Sequence, residues 1–314
     1  MSFAMVSETG KAVAITLGFV AGALYLPVFG AALSLFLPLP VLFFRARLGR
    51  TGGAATMAGG VALLWFWAAG GAGRMEALFY FDLLLLGFLM GELLTRRFPV
   101  ELVVGFSAVA AMAGAGLLFW TVQSATAGAL VQDFRATLGA ILDMVIEAQK
   151  EMGAEPARQN FLAENRDLIL TGWLRLMPAM AAVLTLLSGW VNLLTARGLF
   201  AARGMTFPDY GPLSRWKAPE PLVWGAIAFA VLALPESTRL AGFSGLLILG
   251  TVYFFQGVAI VEYWLRKKNA PRPLRVFMYL LIVLQQILLL VIVAVGFFDL
   301  WADFRRLRKT EEPQ

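Results

Sequence analysis

Long apolar runs are the feature of this sequence that most constrains its fold. Most of them approach the ~20 residues that an α-helix needs to cross the hydrocarbon core of a bilayer. Only 15% of the 314 residues are charged, whereas soluble domains contain about 25%. The sequence therefore predicts an all-α fold, a polytopic transmembrane helical bundle that forms a single integral membrane domain over residues 1–314. The apolar runs lie at residues 12–44, 53–69, 77–95, 100–122, 168–195, 222–235, 241–265 and 276–298.

Two of these runs leave the number of spans open, and we predict 8–9. The run at 12–44 fits one broken helix or two short helices, because it contains Pro27, Gly30, Pro38 and Pro40. The run at 222–235 is shorter than the ~30 Å core at ~1.5 Å per residue, so it fits a tilted or re-entrant segment as well as a span. The division of Lys and Arg between the two sides is the same in both topologies, which leaves the side of the C-terminus open.

Residues 123–167 form the one long polar connection in the sequence. Apolar and charged side chains recur within it at helical spacing, which predicts one amphipathic extramembrane helix. We expect this helix to pack on its own domain, although the pattern also fits a helix on the membrane surface or one that caps the bundle.

The positions of basic residues predict the orientation in the membrane. Arg45, Arg47 and Arg50 follow the first run, and Arg96 and Arg97 follow the third. Because connections rich in Lys and Arg stay in the cytoplasm, both turns are expected there, and the connection at 123–167 is expected outside. We therefore predict a multi-pass protein of the bacterial cytoplasmic (inner) membrane.

The residue types absent from the sequence exclude most familiar catalytic sites. The chain contains no Cys and no His, so it has no disulfide, thiolate nucleophile, histidine-ligated metal or Ser-His-Asp triad. No two Asp or Glu residues within one helix have the spacing that general acid–base catalysis by a carboxylate pair would need. No basic run is interleaved with aromatic residues, as binding of nucleic acid would need. We expect no enzymatic activity, catalytic residue, metal site or cofactor, and no nucleic-acid partner.

Polar side chains inside the apolar runs identify a candidate substrate-binding site at Asp82, Arg175 and Gln256. An ionised group near the bilayer centre costs at least ~2.5 kcal/mol, so such residues often serve a function. Asp82 and Arg175 each follow the external end of a run by a few residues, which predicts a similar depth. We expect them to pair or to face an outward-open cavity, with Arg175 binding an anionic group. The alternatives are a structural ion pair and, for Gln256, an interhelical hydrogen bond.

Small residues recur every four positions along the first predicted helix, at Gly10, Ala14, Gly18 and Gly22. Such a stripe lets another helix approach closely where lipid offers no hydrophobic driving force. The neighbouring helix is either part of this chain or a partner subunit that docks on the stripe.

Several short motifs together resemble the YybS-like family of bacterial membrane proteins over nearly the whole chain. That family implies a polytopic membrane protein without an established activity. The motifs are Pro38-Leu39-Pro40 followed by residues 45–49, the connection at 203–219 with Phe207-Pro208 and Trp216-Lys217-Ala218-Pro219, Phe255-Gln256-Gly257, and the closing segment at 296–305.

The chain is more remotely similar to the substrate-binding membrane subunits of energy-coupling factor transporters. Those subunits are small helical bundles rich in Gly and Ala that bind a vitamin or similar nutrient from outside. A small-residue face on their first helix docks onto the coupling subunit, which would correspond here to the stripe of small residues. The predicted number of spans and the long polar connection depart from that pattern.

Two functions follow from these patterns. The first is binding or transport of a small solute, together with a separate energising partner. The second is a membrane scaffold that docks another membrane protein through the stripe and has no transport activity. Both place the chain in direct contact with the lipid bilayer.

Overall fold

The computed structural model describes residues 3–26, 29–70, 73–125, 128–153 and 161–306. Pro27 and residues 154–160 of the polar connection lie outside these ranges. The chain separates into two compact units, one of residues 1–98 and 103–205 and one of residues 99–102 and 206–314. The single membrane domain stays a prediction, and each unit is described by itself.

Within the described residues, seven principal helices form the first unit, and a π-helical turn at Leu102–Phe106 leads into the fifth. The helices are α1 (Phe3–Tyr25), α2 (Gly30–Leu35), α3 (Pro38–Ala69), α4 (Arg74–Thr95), α5 (Ser107–Ala125), α6 (Ala129–Glu151) and α7 (Arg166–Ala202).

Helix α3 reverses direction at Gly49. This glycine has φ 78° and ψ −172°, a conformation that L-residues rarely adopt. A Cβ atom on Gly53 would lie 2.8 Å from the Cα of Arg45, whereas two residues eight positions apart in a straight helix are separated by about 12 Å. The two parts of α3 therefore fold back on each other, within the basic turn that the sequence predicts.

The carboxylate of Glu92, near the end of α4, holds this reversal in place. It forms ion pairs with Arg45 and Arg50, which lie on the two sides of Gly49, and a third with Arg96 at 2.7 Å. The Arg45 side chain is only 8% exposed, so it depends on this partner more than the exposed Arg50 does. Glu92 thus joins both parts of α3 to the end of α4.

Helix α6 lies within the polar connection and carries exposed apolar residues such as Ile141, Met144 and Val145. Asp143 on α6 pairs with Arg166 at the start of α7 at 3.0 Å. The hydrogen bonds from the Arg166 guanidinium lower the pKa of the Asp143 carboxyl. This contact therefore stabilises the fold at neutral pH and is lost as the pH falls through the lowered pKa. The external position of α6 stays a prediction.

The second unit is built around helix α9. Its helices are α8 (Leu222–Leu232), α9 (Arg239–Lys267), α10 (Arg272–Leu284) and α11 (Gln286–Ala302). Gly225 lies against Leu249 and Gly245 lies against the ring of Phe229, so α8 and α9 pack antiparallel. Gly257 and Gly296 make the corresponding close contacts between α9 and α11, because each lies against backbone atoms of the other helix.

The described residues contain five segments that are long and apolar enough to span a membrane, or six if α10 and α11 form one broken span. The predicted 8–9 spans are not confirmed. Helix α8 has only 11 residues, about half the length that a span needs. The run at 276–298 bends by 102° at Gln285, where the backbone leaves the helical conformation.

We expect Gly296→Ala to destabilise the second unit, because its Cβ would overlap the carbonyl oxygen of Tyr253. Overpacking of this kind costs about 1–3 kcal/mol. Gly250→Ala is the matched control on α9, since its Cβ would meet only Val293 at 3.9 Å. Melting temperatures in mild detergent should be lower for Gly296→Ala and equal to wild type or higher for Gly250→Ala. Equal values for both variants would contradict the close contact.

Candidate functional site

A broken helix exposes a backbone carbonyl inside the first unit. Helix α2 ends at Leu35, and α3 begins with Pro38, which has no N–H group to donate. The amides of Leu37 and Leu39 bond to Ser34 and Phe36 instead. The Leu35 carbonyl oxygen is therefore left to accept hydrogen bonds from side chains.

Helix α7 supplies those side chains from one face. Thr185, Ser188 and Asn192 recur at i, i+3 and i+7 and are almost fully buried. The Ser188 hydroxyl and the Asn192 amide nitrogen both donate to the Leu35 carbonyl oxygen at 2.7 Å. The Asn192 amide oxygen is buried without a hydrogen-bond partner within the described part of the chain.

Asp82 on α4 is the buried carboxylate of this region and is 3% exposed. Its Oδ2 accepts a hydrogen bond from the Thr185 hydroxyl at 2.6 Å. Its Oδ1 is buried and has no hydrogen-bond partner within the described residues, and no cation of those residues forms an ion pair with it. The site therefore carries an acceptor that is free for an additional group.

Arg175 lies on the same helix as the partner of Asp82 but at a distance from it. The partner of Asp82 is Thr185, ten residues further along α7, which corresponds to about 15 Å along a helix axis. The Arg175 side chain is exposed and forms no ion pair with Asp82. The predicted pair is therefore not formed within the described residues, while the common depth of Asp82 and Arg175 in the membrane stays a prediction.

Gln256 belongs to the second unit, where both ends of its amide are occupied. Its oxygen accepts from the Ala218 backbone amide at 3.0 Å, and its nitrogen donates to Asp299 at 3.2 Å. The amide therefore links the connection before α8 to α9 and α11. This geometry corresponds to the interhelical hydrogen bond that the sequence offers as the alternative to substrate binding.

Asp299 also forms a fully buried ion pair with Arg305 at 2.7 Å. Arg305 donates two further hydrogen bonds of 2.9 Å, to the carbonyl oxygens of Ser214 and Trp216. The guanidinium thereby fixes the connection before α8 against the end of α11. No motif in the sequence identifies this contact, because two of its acceptors are backbone atoms remote along the chain.

The stripe of small residues faces away from the rest of its unit. Gly10, Ala14 and Gly18 are exposed, and a Cβ atom on Gly10 or Gly18 would meet nothing within 4 Å. Gly22 differs, because its Cβ would lie 2.8 Å from the Leu33 side chain. Only the last position of the stripe therefore packs closely on α2.

The described residues hold no group of three or more acidic side chains that would bind a metal ion. The residues that sequence reasoning missed at this site are Thr185, Ser188 and Asn192 on α7. Their spacing of three and four residues within an apolar run is a signal that would have identified them.

A family model described as "Predicted membrane protein (DUF2232)" matches residues 14–300. The chain belongs to this family. Membership in DUF2232, together with several apolar helices, makes it a membrane protein whose helices contact the lipid bilayer. No curated protein and no solved structure matches the chain. The YybS-like resemblance and the remoter similarity to energy-coupling factor subunits stay predictions.

We expect Asp299→Ala to destabilise the protein by about 3–5 kcal/mol, because it leaves the Arg305 guanidinium buried without a counter-charge. The double variant Asp299→Leu with Arg305→Met should lose less stability than Asp299→Ala, since it leaves no buried charge. The control Glu236→Ala removes an exposed ion-pair partner and should change stability by less than about 1 kcal/mol. Thermal unfolding in detergent measures all three. A double variant less stable than Asp299→Ala would refute this account.

Proposed function

We propose that this chain is a bacterial inner-membrane protein that binds or transports a small solute, with Asp82 in the binding site and a separate energising partner. The observation that carries the proposal is the carboxylate oxygen Oδ1 of Asp82, which is buried on an apolar helix without a partner among the described residues. Ionisable residues inside a membrane are costly and most often mark a substrate, ion or proton pathway.

The chemistry of this region favours a solute that is positively charged or rich in hydrogen-bond donors. Asp82 Oδ1 and Asn192 Oδ1 are both acceptors without a partner in the described chain. The neighbouring Thr185 provides only one neutral hydrogen bond to Asp82, which does not balance a full negative charge in a medium of low dielectric constant. An ammonium group, a metal cation or a proton would supply the missing charge.

The break between α2 and α3 supports the same proposal. Transporters commonly build their sites from interrupted helices, because an interruption frees backbone carbonyls at the depth of the membrane. Here the freed carbonyl of Leu35 fixes Ser188 and Asn192, and these residues share a helix face with Thr185. Arg175 and Gln256 take no part in the proposal, since Arg175 lies about 15 Å before Thr185 on α7 and Gln256 has both amide ends occupied.

We expect Asp82→Asn to lose the bound solute while it keeps the fold. The amide preserves the shape of the side chain and removes the cost of burying a charge, so the melting temperature should equal or exceed that of wild type. Native mass spectrometry of the protein purified in mild detergent should show at least a tenfold lower occupancy of the co-purifying solute. In thermal-shift measurements, sodium, ammonium or small primary amines should raise the melting temperature of wild type but not that of Asp82→Asn.

Ser107→Ala is the matched control, because Ser107 Oγ is another buried group of this unit without a described partner. It should bind like wild type. If Asp82→Asn folds and binds the same molecules at wild-type occupancy, or if the cations stabilise neither protein, Asp82 is not part of a solute site.

The open face of α1 favours a second candidate function, a membrane scaffold that docks another protein and transports nothing. A Cβ atom on Gly10 or Gly18 would meet nothing within 4 Å in the described structure, so a helix of a partner has room to approach the backbone there. The same face would serve the energising partner of the first proposal.

We expect Ala14→Leu and Gly18→Leu to leave the melting temperature nearly unchanged, since both positions are exposed. They should abolish co-purification of a membrane subunit that native mass spectrometry detects with wild type. Gly22→Leu is the contrasting variant, because the new side chain would overlap Leu33 and disturb the fold itself. Retention of the same subunit by folded Gly18→Leu protein would refute docking on the stripe.

A further inference from the structure

A pocket of about 430 Å³ opens in the first unit between α1, the first part of α3 and the end of α7. Its volume lies within the ~300–1,000 Å³ that is usual for sites of small ligands. The pocket does not include Asp82, Thr185 or Asn192, so its role is independent of the solute site proposed above.

Three cationic side chains and one carboxylate line the pocket. Glu8 pairs with Lys11 at 3.0 Å through Oε1 and with Arg47 at 2.9 Å through Oε2. Arg203, at the end of α7, forms no ion pair with any described residue. Glu8 neutralises one of the three positive charges and contacts both Lys11 and Arg47. The pocket therefore has a net charge of about +2, and the guanidinium of Arg203 is unpaired among the described residues.

The remaining lining is apolar, with Phe19, Phe43 and Phe44 among its residues. Phe43 and Phe44 are almost fully buried and pack edge to face with ring centroids 5.2 Å apart. Phe43 contacts Phe200 in the same way at 5.7 Å. These contacts fix the wall of the pocket, which therefore offers apolar surface beside the cationic groups.

A ligand that complements both parts of this lining has an anionic head and an apolar chain. Arg203 can bind a phosphate oxygen pair through its planar fork, while Lys11 and Arg47 add positive charge. The basic turn that contains Arg47 belongs to the side that the sequence pattern assigns to the cytoplasm. The cytoplasmic leaflet is the one that carries anionic lipids in excess.

We propose that this pocket binds the anionic headgroup of an amphiphile, with the phosphate at Arg203, Arg47 and Lys11 and the chain against Ile15, Phe19 and Phe43. Such a ligand comes either from the bilayer, as an anionic phospholipid, or from solution, as a single-chain phosphate ester. Both share the same recognition chemistry, and their relative affinity identifies the source.

Native mass spectrometry of the full chain in mild detergent tests the proposal. Titrations with phosphatidylglycerol, phosphatidylcholine of equal chain length, dodecyl phosphate and inorganic phosphate separate the contributions of charge and apolar chain. We expect one molecule of phosphatidylglycerol or dodecyl phosphate to bind on the order of tenfold more tightly than phosphatidylcholine, and inorganic phosphate to bind weakly. Whichever of phosphatidylglycerol and dodecyl phosphate binds more tightly identifies the source of the ligand.

Arg203→Gln should weaken binding of the anionic amphiphile on the order of tenfold and remove its preference over phosphatidylcholine. Arg197→Gln is the matched control, because Arg197 is exposed on the same helix outside the pocket. Ile15→Trp, at a partly exposed lining position, should fill the pocket and weaken binding without a change of charge.

Three results would each overturn the proposal. The first is equal affinity of wild type for phosphatidylglycerol and phosphatidylcholine. The second is an equal loss of affinity for the anionic amphiphile in Arg203→Gln and Arg197→Gln. The third is binding of inorganic phosphate as tight as that of dodecyl phosphate. Because Asp82→Asn leaves the pocket intact, it should retain wild-type affinity for the amphiphile whatever its effect on the solute.

Discussion

Polar groups inside a bilayer need partners from the protein itself, because hydrocarbon offers none. This constraint explains the contacts that define both units. Where Pro38 interrupts the helix, the Leu35 carbonyl oxygen is satisfied by Ser188 and Asn192. In the second unit, Arg305 satisfies two carbonyl oxygens of the connection before α8 and is itself neutralised by Asp299. Asp82 departs from the rule with one free oxygen, and for that reason the proposed function is placed there.

The same environment explains why close helix packing relies on glycine. Lipid provides no hydrophobic driving force between helices, so their association depends on direct contact of surfaces. Gly257 and Gly296 bring α9 and α11 together until backbone atoms touch. The open positions Gly10 and Gly18 present a comparable surface without a neighbour in the described structure. One residue type therefore serves the interior of one unit and the exposed face of the other.

The sequence predicts where the helices lie better than how they meet. Apolar runs locate the helices of both units, and the glycine and arginine residues near position 49 locate the reversal in α3. The number of spans was not predictable from composition, because the 102° bend at Gln285 lies inside one apolar run and only two glutamines, Gln285 and Gln286, mark it in the sequence. Counting from helix ends predicts a shared depth for Asp82 and Arg175. For α7 such a count does not locate the edge of the bilayer, because the helix is about 55 Å long and exceeds the hydrocarbon core.

The ion pairs of Glu92 have a consequence for the order in which the chain assembles. Synthesis from the N-terminus produces Arg45 and Arg50 before the carboxylate that neutralises both of them. Until α4 is complete, the reversal in α3 brings two guanidinium groups together without a counter-charge, and their repulsion opposes closure. The reversal of α3 therefore gains the counter-charge for both arginines only once residue 92 has been added to the chain.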